Sequence, residues 1–185
     1  MRLGIVGCQQ PLPALVVGIL VKIAKLTTRV LIGGLFVGHG TQKLKGWFGG
    51  PGIDGFSAGM EAMGMHPPRR NAYAAGISEA AGGALLAVGF LTPLASAAIT
   101  GTMAVAVVKA HLANGPWVTS GGWEYNAVLI AAVLALAEDG PGEVSLDHLL
   151  GTERSGPAYG LLAGALGAAA AYGALAASKA ATPSV

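Results

Sequence analysis

One acidic residue inside an otherwise uncharged, apolar stretch constrains this chain more than any other feature. Residues 71–91 (NAYAAGISEAAGGALLAVGFL) have about the length of a bilayer-spanning helix, and Glu79 lies eight residues in, roughly 12 Å along a helix axis. A carboxylate at that depth must be paired, protonated or exposed to a wet cavity. We therefore expect Glu79 to face a pocket and to pair with a basic residue, with His39 and Lys109 as the first partners to consider.

Small residues surround Glu79 at helical spacing, so its side of the helix is the one that other helices can approach most closely. These residues are Ala72, Ala75, Gly76, Gly82, Gly83 and Ala87.

The composition predicts an integral membrane protein rather than a soluble domain. Of the 185 residues, 53% are hydrophobic and 11% are charged, and 30 are glycine. The formal charge of +2 comes from scattered residues, which argues against nucleic-acid binding. The single cysteine, Cys8, excludes an internal disulfide, so redox chemistry here would need a borrowed cofactor.

Hydropathy divides the chain into a lead-in, a membrane domain, a further helix and a tail. Within the lead-in, the apolar run at residues 14–21 is too short to span and is expected to be interfacial or extended. The predicted fold is an all-α membrane protein, an antiparallel four-helix transmembrane bundle with a fifth, C-terminal transmembrane helix. The predicted segments are the lead-in 1–25, the four-helix domain 26–150 with spans 26–44, 71–91, 94–112 and 123–139, the fifth helix within 156–178, and the tail 179–185.

The first and third spans carry specific expectations about single residues. Arg29 should snorkel to the nearer membrane interface, and Gly34 and Gly38 form a GxxxG helix-packing pattern. Lys109 and His111 are two residues apart on a helix and point nearly opposite ways, so only one of them should face inward.

The loop at residues 45–70 is rich in glycine and proline and contains a predicted short helix. Asp54 could cap this helix, and Phe56, Met60 and Met63 would share one side before Gly64 ends it. That pattern is typical of a helix lying on the membrane surface.

Because consecutive spans run in opposite directions, the polar residues of all four spans fall in the same half of the bilayer. The other half is expected to contain few polar side chains. Interfacial anchoring is an alternative explanation for Lys43, Lys109 and Glu124, which lie near span ends. We predict a polar pocket in that half, facing outward from an internal amino terminus, although the positive-inside rule is close to a tie. The predicted pocket residues are His39, Lys43, Glu79, Lys109, His111, Trp117, Trp123, Glu124 and Asn126, and Trp47 lies on the same side.

From residue 29 to about residue 150, the sequence resembles the DoxX family of small bacterial membrane proteins. The resemblance depends on several short motifs in order, and it implies four transmembrane helices in the bacterial plasma membrane. The motifs are GHGTQKL at 38–44, Glu79 with GGALL at 82–86, GFLTP at 89–93, His111, GGWEYN at 121–126, GPG at 140–142 and SLD at 145–147.

The resemblance also implies a functional setting. Members of the family are similar to subunits of membrane-associated oxidoreductases, including the small subunit of a thiosulfate:quinone oxidoreductase. Others are associated with superoxide dismutase and a sulfurtransferase in oxidative-stress defence. The matched polar positions imply a functional cluster, and the family assigns them no agreed reaction: His39, Lys43, Glu79, His111 and Glu124.

The leading functional hypothesis is a membrane subunit that binds a quinone or a similar small redox molecule. His39, Lys43 or Lys109 would donate to a quinone carbonyl, and Glu79 would relay a proton. One alternative is a scaffold that recruits soluble redox enzymes, with the buried charges fixing helix register. A small-solute or proton conduit is a weaker alternative, because the opposite half of the spans is almost entirely apolar.

Haem and metal sites are less favoured. Haem held between His39 and His111 is geometrically conceivable, because both lie on the same side of two helices. No pair of His, Asp and Glu shows the spacing of metal ligands on one helix, so no metal site is predicted.

Overall fold

The computed structural model describes residues 13–182, which fold into helices joined by turns and short loops. Residues 1–12 of the expected lead-in, with Cys8, lie outside this range. The α-helices are α1 (Ala14–Lys45), α2 (Gly52–Ala62), α3 (Pro68–Val88), α4 (Thr92–Ala106), α5 (Glu124–Asp139), α6 (Leu146–Leu150) and α7 (Pro157–Ala180).

The first helix is longer than the predicted first span. It begins at Ala14, directly after Pro13, so residues 14–21 are helical and continuous with the span instead of extended. Gly46 ends α1 in the left-handed conformation at φ 73°, which glycine adopts without strain.

Glycines bring α1 and α3 into backbone contact, but they are not the glycines of the GxxxG pattern. A Cβ at Gly33 would stand 2.5 Å from the carbonyl oxygen of Gly83, and one at Gly40 would overlap Ala80. Among the described residues, nothing lies within 4 Å of a Cβ built at Gly34 or Gly38. The packing prediction for Gly34 and Gly38 is therefore wrong, because α3 lies on the other face of α1.

The remaining long helices pack in series. The carboxyl end of α3 turns through Gly89 into α4, which packs against α3, α5 and α7. Side chains from α1, α3, α4 and α5 form one apolar core. Its buried members are Ile32, Phe36, Leu86, Ala95, Ile99, Met103, Val133 and Leu136.

Within residues 13–182, two helices are long and apolar enough to cross a bilayer by length and composition. One is the predicted third span, in which α4 continues through irregular turns, and the other is α7, which includes the predicted fifth span. They cover Thr92–Asn114 and Pro157–Ala180. The helical content agrees with the predicted all-α class.

Arg29 is buried and does not snorkel, which corrects the prediction. Its side chain is 2% exposed, and its guanidinium donates to the backbone carbonyls of Ala87, Pro141 and Val144. These carbonyls come from the end of α3 and the loop after α5, and their lone pairs satisfy a charge that would otherwise be costly to bury. Asp147, which is 1% exposed, lies at the same end of the molecule, where its backbone N–H donates to Gly89. The expectation that this half of the bundle contains few polar side chains is therefore wrong.

Candidate functional site

A cavity of about 580 Å³ lies around Glu79, at the end of the molecule opposite Arg29. Its size is within the range of small-molecule binding sites. Helices α1 to α5 and α7 all contribute to its wall, together with the loop that precedes α5.

Glu79 is the most deeply buried charged group of the cavity. It lies on the small-residue face of α3, as predicted, and its side chain is 2% exposed. Lys43, from the last turns of α1, forms an ion pair with its carboxylate and is itself 21% exposed. The partner is therefore Lys43 instead of His39 or Lys109, because the close approach of α1 and α3 brings the end of α1 to Glu79.

Lys43 also connects the ion pair to the short helix α2. Its ammonium lies 5.4 Å from the centre of the Phe56 ring, within the range of a cation–π interaction. Phe56, Met60 and Met63, which were predicted to share one side of α2, all line the cavity. The apolar side of α2 therefore covers the cavity, and the expectation that it lies against the membrane surface is wrong.

Lys109 and His111 both line the cavity, so the prediction that only one of them faces inward is wrong. They lie in a π-helical turn, Val107–His111, that continues α4 and changes the angles between successive side chains. Lys109 donates to the carbonyl oxygen of Met63 at 3.2 Å, and His111 Nδ1 lies 2.8 Å from the carbonyl oxygen of Gly121. Both residues thus hold loops at the edge of the cavity.

His39 and Asn126 face the cavity from α1 and α5. His39 is exposed, and its Nδ1 lies 3.1 Å from Oε1 of Gln42, which leaves Nε2 outside that contact. Asn126 is buried, with its Nδ2 at 3.4 Å from the sulfur of Met103. A thioether is a weak acceptor, so the Asn126 amide retains hydrogen-bonding capacity toward the cavity.

Glu124, Trp117 and Trp123 were predicted as pocket residues and do not line this cavity. The Glu124 carboxylate instead accepts from the backbone N–H of Val118 at 2.6 Å and so holds the loop before α5. Trp117 is 64% exposed. These residues shape the loop beside the cavity.

Methionines make up much of the apolar wall, and the sequence analysis assigned none of them to the site. Met60, Met63, Met65 and Met103 all line the cavity, with Phe36 and Phe56. Flexible thioethers adapt to ligands of different shapes and contact aromatic rings favourably. The chain has five methionines in all, and four of them line this cavity. Their spacing along the sequence does not predict that they come together.

The wall therefore combines one charged end with a large apolar surface. Such a cavity can accept hydrogen bonds from, or donate them to, a polar head while it encloses a flat or flexible apolar body. Within residues 13–182, no group of three His, Cys, Asp or Glu side chains is arranged to hold a metal ion.

Comparison with known proteins finds a family match over a segment that contributes several residues to this cavity. Residues 24–112 match the family model described as DoxX. No curated protein and no solved structure matches the chain significantly. The matched segment contains His39, Lys43, Glu79, Lys109 and His111, and together with the two long apolar helices it indicates a membrane protein. Over this segment, which is just under half of its length, the chain matches the DoxX family.

Proposed function

We propose that this protein is a multi-pass subunit of a membrane-associated oxidoreductase and that its cavity binds a quinone. The observation that carries the proposal is the buried Glu79–Lys43 pair at the edge of a cavity walled by methionine and phenylalanine side chains. A quinone has the matching form, with polar carbonyl oxygens on a flat apolar ring.

The charged end of the cavity supplies the groups that quinone chemistry needs. Reduction of a quinone to a hydroquinone consumes a pair of electrons and a pair of protons. Lys43, Lys109 or His39 donates a hydrogen bond to a carbonyl oxygen. Glu79 passes one proton from Lys43 to a reduced oxygen, and the second proton comes from water through His39, which is exposed and lines the cavity. The electrons come from a soluble oxidoreductase at the membrane surface. The resemblance to DoxX proteins separately favours superoxide dismutase and sulfurtransferase-type partners in oxidative-stress defence, neither of which is the electron donor.

The proposal places α1, α3, α4 and α5 across the bacterial plasma membrane as an antiparallel bundle, with α7 as a fifth span. Lys25, in the amino-terminal half of α1, donates to the carbonyl oxygen of Asp139 at the end of α5, whereas His39 and Asn126 share the cavity at the other end. This arrangement supports opposite directions for α1 and α5.

Quinone binding by the purified protein tests the proposal. In mild detergent, the protein should bind a benzoquinone saturably and should retain native quinone through purification. The double variant Lys43→Met/Glu79→Gln removes one charge of each sign, so it leaves no unpaired charge buried. We expect it to bind the quinone about tenfold more weakly, since it loses one charge-assisted hydrogen bond.

The matched control is Lys45→Met/Glu138→Gln, which makes the same change of charge at two exposed positions. This variant should bind quinone as the wild type does. Failure of the wild type to bind any quinone would contradict the proposal, as would equal binding by the two double variants.

A further inference from the structure

We infer that the cavity opens sideways into the bilayer between α1 and α5, and that its ligand is a quinone with a long aliphatic tail that passes through this opening. The inference rests on the proposed function and adds to it the class of quinone and the route by which it reaches the site.

The two helices are joined at one end and separated by the cavity at the other. At the Arg29 end, Lys25 donates to the carbonyl oxygen of Asp139 at 2.8 Å, and Arg29 donates to Pro141 and Val144. Elsewhere, α1 packs chiefly against α3 and α2, and α5 packs against α4 and α7. The α1–α5 pair is therefore held together below the cavity and spread apart beside it.

The positions of side chains around each helix show which side the opening faces. On α1, the contact with α3 is made by Gly33 and Gly40, and the cavity is lined by Phe36, His39 and Lys43. Leu35 follows next around the helix, beyond His39, and is 47% exposed.

The same order appears on α5. Leu134 and Ala137 belong to the apolar cluster with α4 and α7, and Asn126, Leu129 and Tyr125 line the cavity. Tyr125 is 48% exposed although it lines the cavity, and beyond it Val128 is 64% exposed. The two sides of the opening are thus His39 and Leu35 on α1 and Tyr125 and Leu129 on α5.

Two other parts of the cavity boundary are closed by hydrogen bonds and by packing. Lys109 holds the end of α2 through Met63, and the backbone N–H of His66 donates to the buried Ser178 hydroxyl of α7 at 2.7 Å. The apolar core at Phe36 and Val133 forms the floor. A molecule that places its head at Glu79 therefore meets an apolar, lipid-facing rim on the α1–α5 side, which suits an aliphatic tail.

Photolabelling of the wild-type protein in lipid nanodiscs tests the route. One probe is a benzoquinone with a diazirine on the ring, and a second is a benzoquinone whose long alkyl chain ends in a diazirine. We expect the ring probe to label cavity residues, and the tail probe to label α1 near Leu35 and α5 near Val128.

The outcomes separate this inference from the proposed function. Ring labelling in the cavity with tail labelling on α2 or on the loop at residues 117–121 would overturn the sideways opening and leave quinone binding intact. Absence of cavity labelling by both probes would overturn the proposed function, and the opening with it.

A pair of leucine variants provides a second measurement. Leu129→Trp adds bulk at the rim, and we expect it to weaken binding of a long-tailed quinone about tenfold more than binding of a tailless one. Leu161→Trp makes the same substitution on α7, at a 76% exposed position that does not line the cavity, and should change neither. Equal weakening of both quinones by Leu129→Trp would contradict the inference.

Discussion

The two ends of the α1–α5 pair both bury a charged group, but they satisfy it in different ways. Arg29 is 2% exposed and donates to backbone carbonyls from two other segments. Glu79 is also 2% exposed, yet its partner is the partly exposed side chain of Lys43, and both border a cavity. A buried charge held by the backbone stabilises the fold, whereas one held by a partly exposed side chain beside a cavity is placed where it can take part in chemistry.

Arg29→Met is expected to have the largest effect on stability, and it tests the structural role of Arg29 in this comparison. The change leaves the carbonyls of Ala87, Pro141 and Val144 without their donor and removes the positive charge that interacts with Asp147. We expect the free energy of unfolding to fall by about 3–5 kcal/mol, as for other broken buried charge contacts. Thermal unfolding in detergent measures it.

The neutral double variant Lys43→Met/Glu79→Gln is the comparison at the other end. Because it replaces both members of a pair, its unfolding should differ from the wild type by about 1 kcal/mol or less. A larger loss of stability from this variant than from Arg29→Met would contradict the conclusion that Arg29 stabilises the fold and that the Lys43–Glu79 pair serves chemistry.

An intermediate effect is expected from Gly33, which lies on α1 between the two ends. A Cβ there would meet the Gly83 carbonyl oxygen at 2.5 Å and the Ala87 nitrogen at 2.6 Å. Gly33→Ala should therefore force α1 and α3 apart and destabilise the protein by about 1–3 kcal/mol. Thermal unfolding and quinone binding, measured together, would show whether both ends depend on this contact.

Gly34→Ala is the matched control, because the described residues leave open space at that position. It should be neutral or stabilising by up to about 1 kcal/mol, since alanine favours a helix. Similar losses of stability for the two alanine variants would mean that the α1–α3 contact is placed on the wrong glycines.

The smallest effect is expected from the exposed ion pair at the Arg29 end. Lys22 Nζ lies 2.7 Å from Oε1 of Glu143, and this hydrogen bond and the positive charge of Lys22 lower the pKa of the Glu143 carboxyl. A lowered pKa stabilises the folded state above the ordinary carboxyl pKa, and this contribution is lost as the pH falls through the lowered value. Because the pair is exposed, the effect is small.

Thermal unfolding of Glu143→Gln as a function of pH measures this contribution. The wild type should unfold at a slightly higher temperature than the variant near neutral pH, and the difference should vanish in acid. A difference that grows as the pH falls would contradict the pairing.

The sequence predicted features that depend on local pattern. Helical class, the position of Glu79 among small residues, and the apolar side of α2 all follow from spacing along one helix. The family resemblance was confirmed over residues 24–112. The roles of the cavity residues remain predictions.

The errors concern contacts between distant segments. Arg29 was expected to snorkel because nothing near it in the sequence shows that Pro141 and Val144 fold over it. The Gly34 and Gly38 pattern was misleading because a chain with 30 glycines offers several such pairs, and the position of α3 decides which one packs. The π-helical turn at Val107–His111 has no pattern in the sequence that distinguishes it from a regular helix.

The last long helix, α7, affects how DoxX-family chains should be compared with this one. The family match ends at residue 112, but α7 supplies Ala170 and Ala174 to the cavity wall. The Ser178 hydroxyl of α7 also accepts a hydrogen bond from the backbone N–H of His66. A relative without an equivalent of α7 would have the same charged pair in a cavity that lacks the α7 part of its wall. Ligand preference should therefore follow the carboxyl-terminal segment as much as the shared motifs.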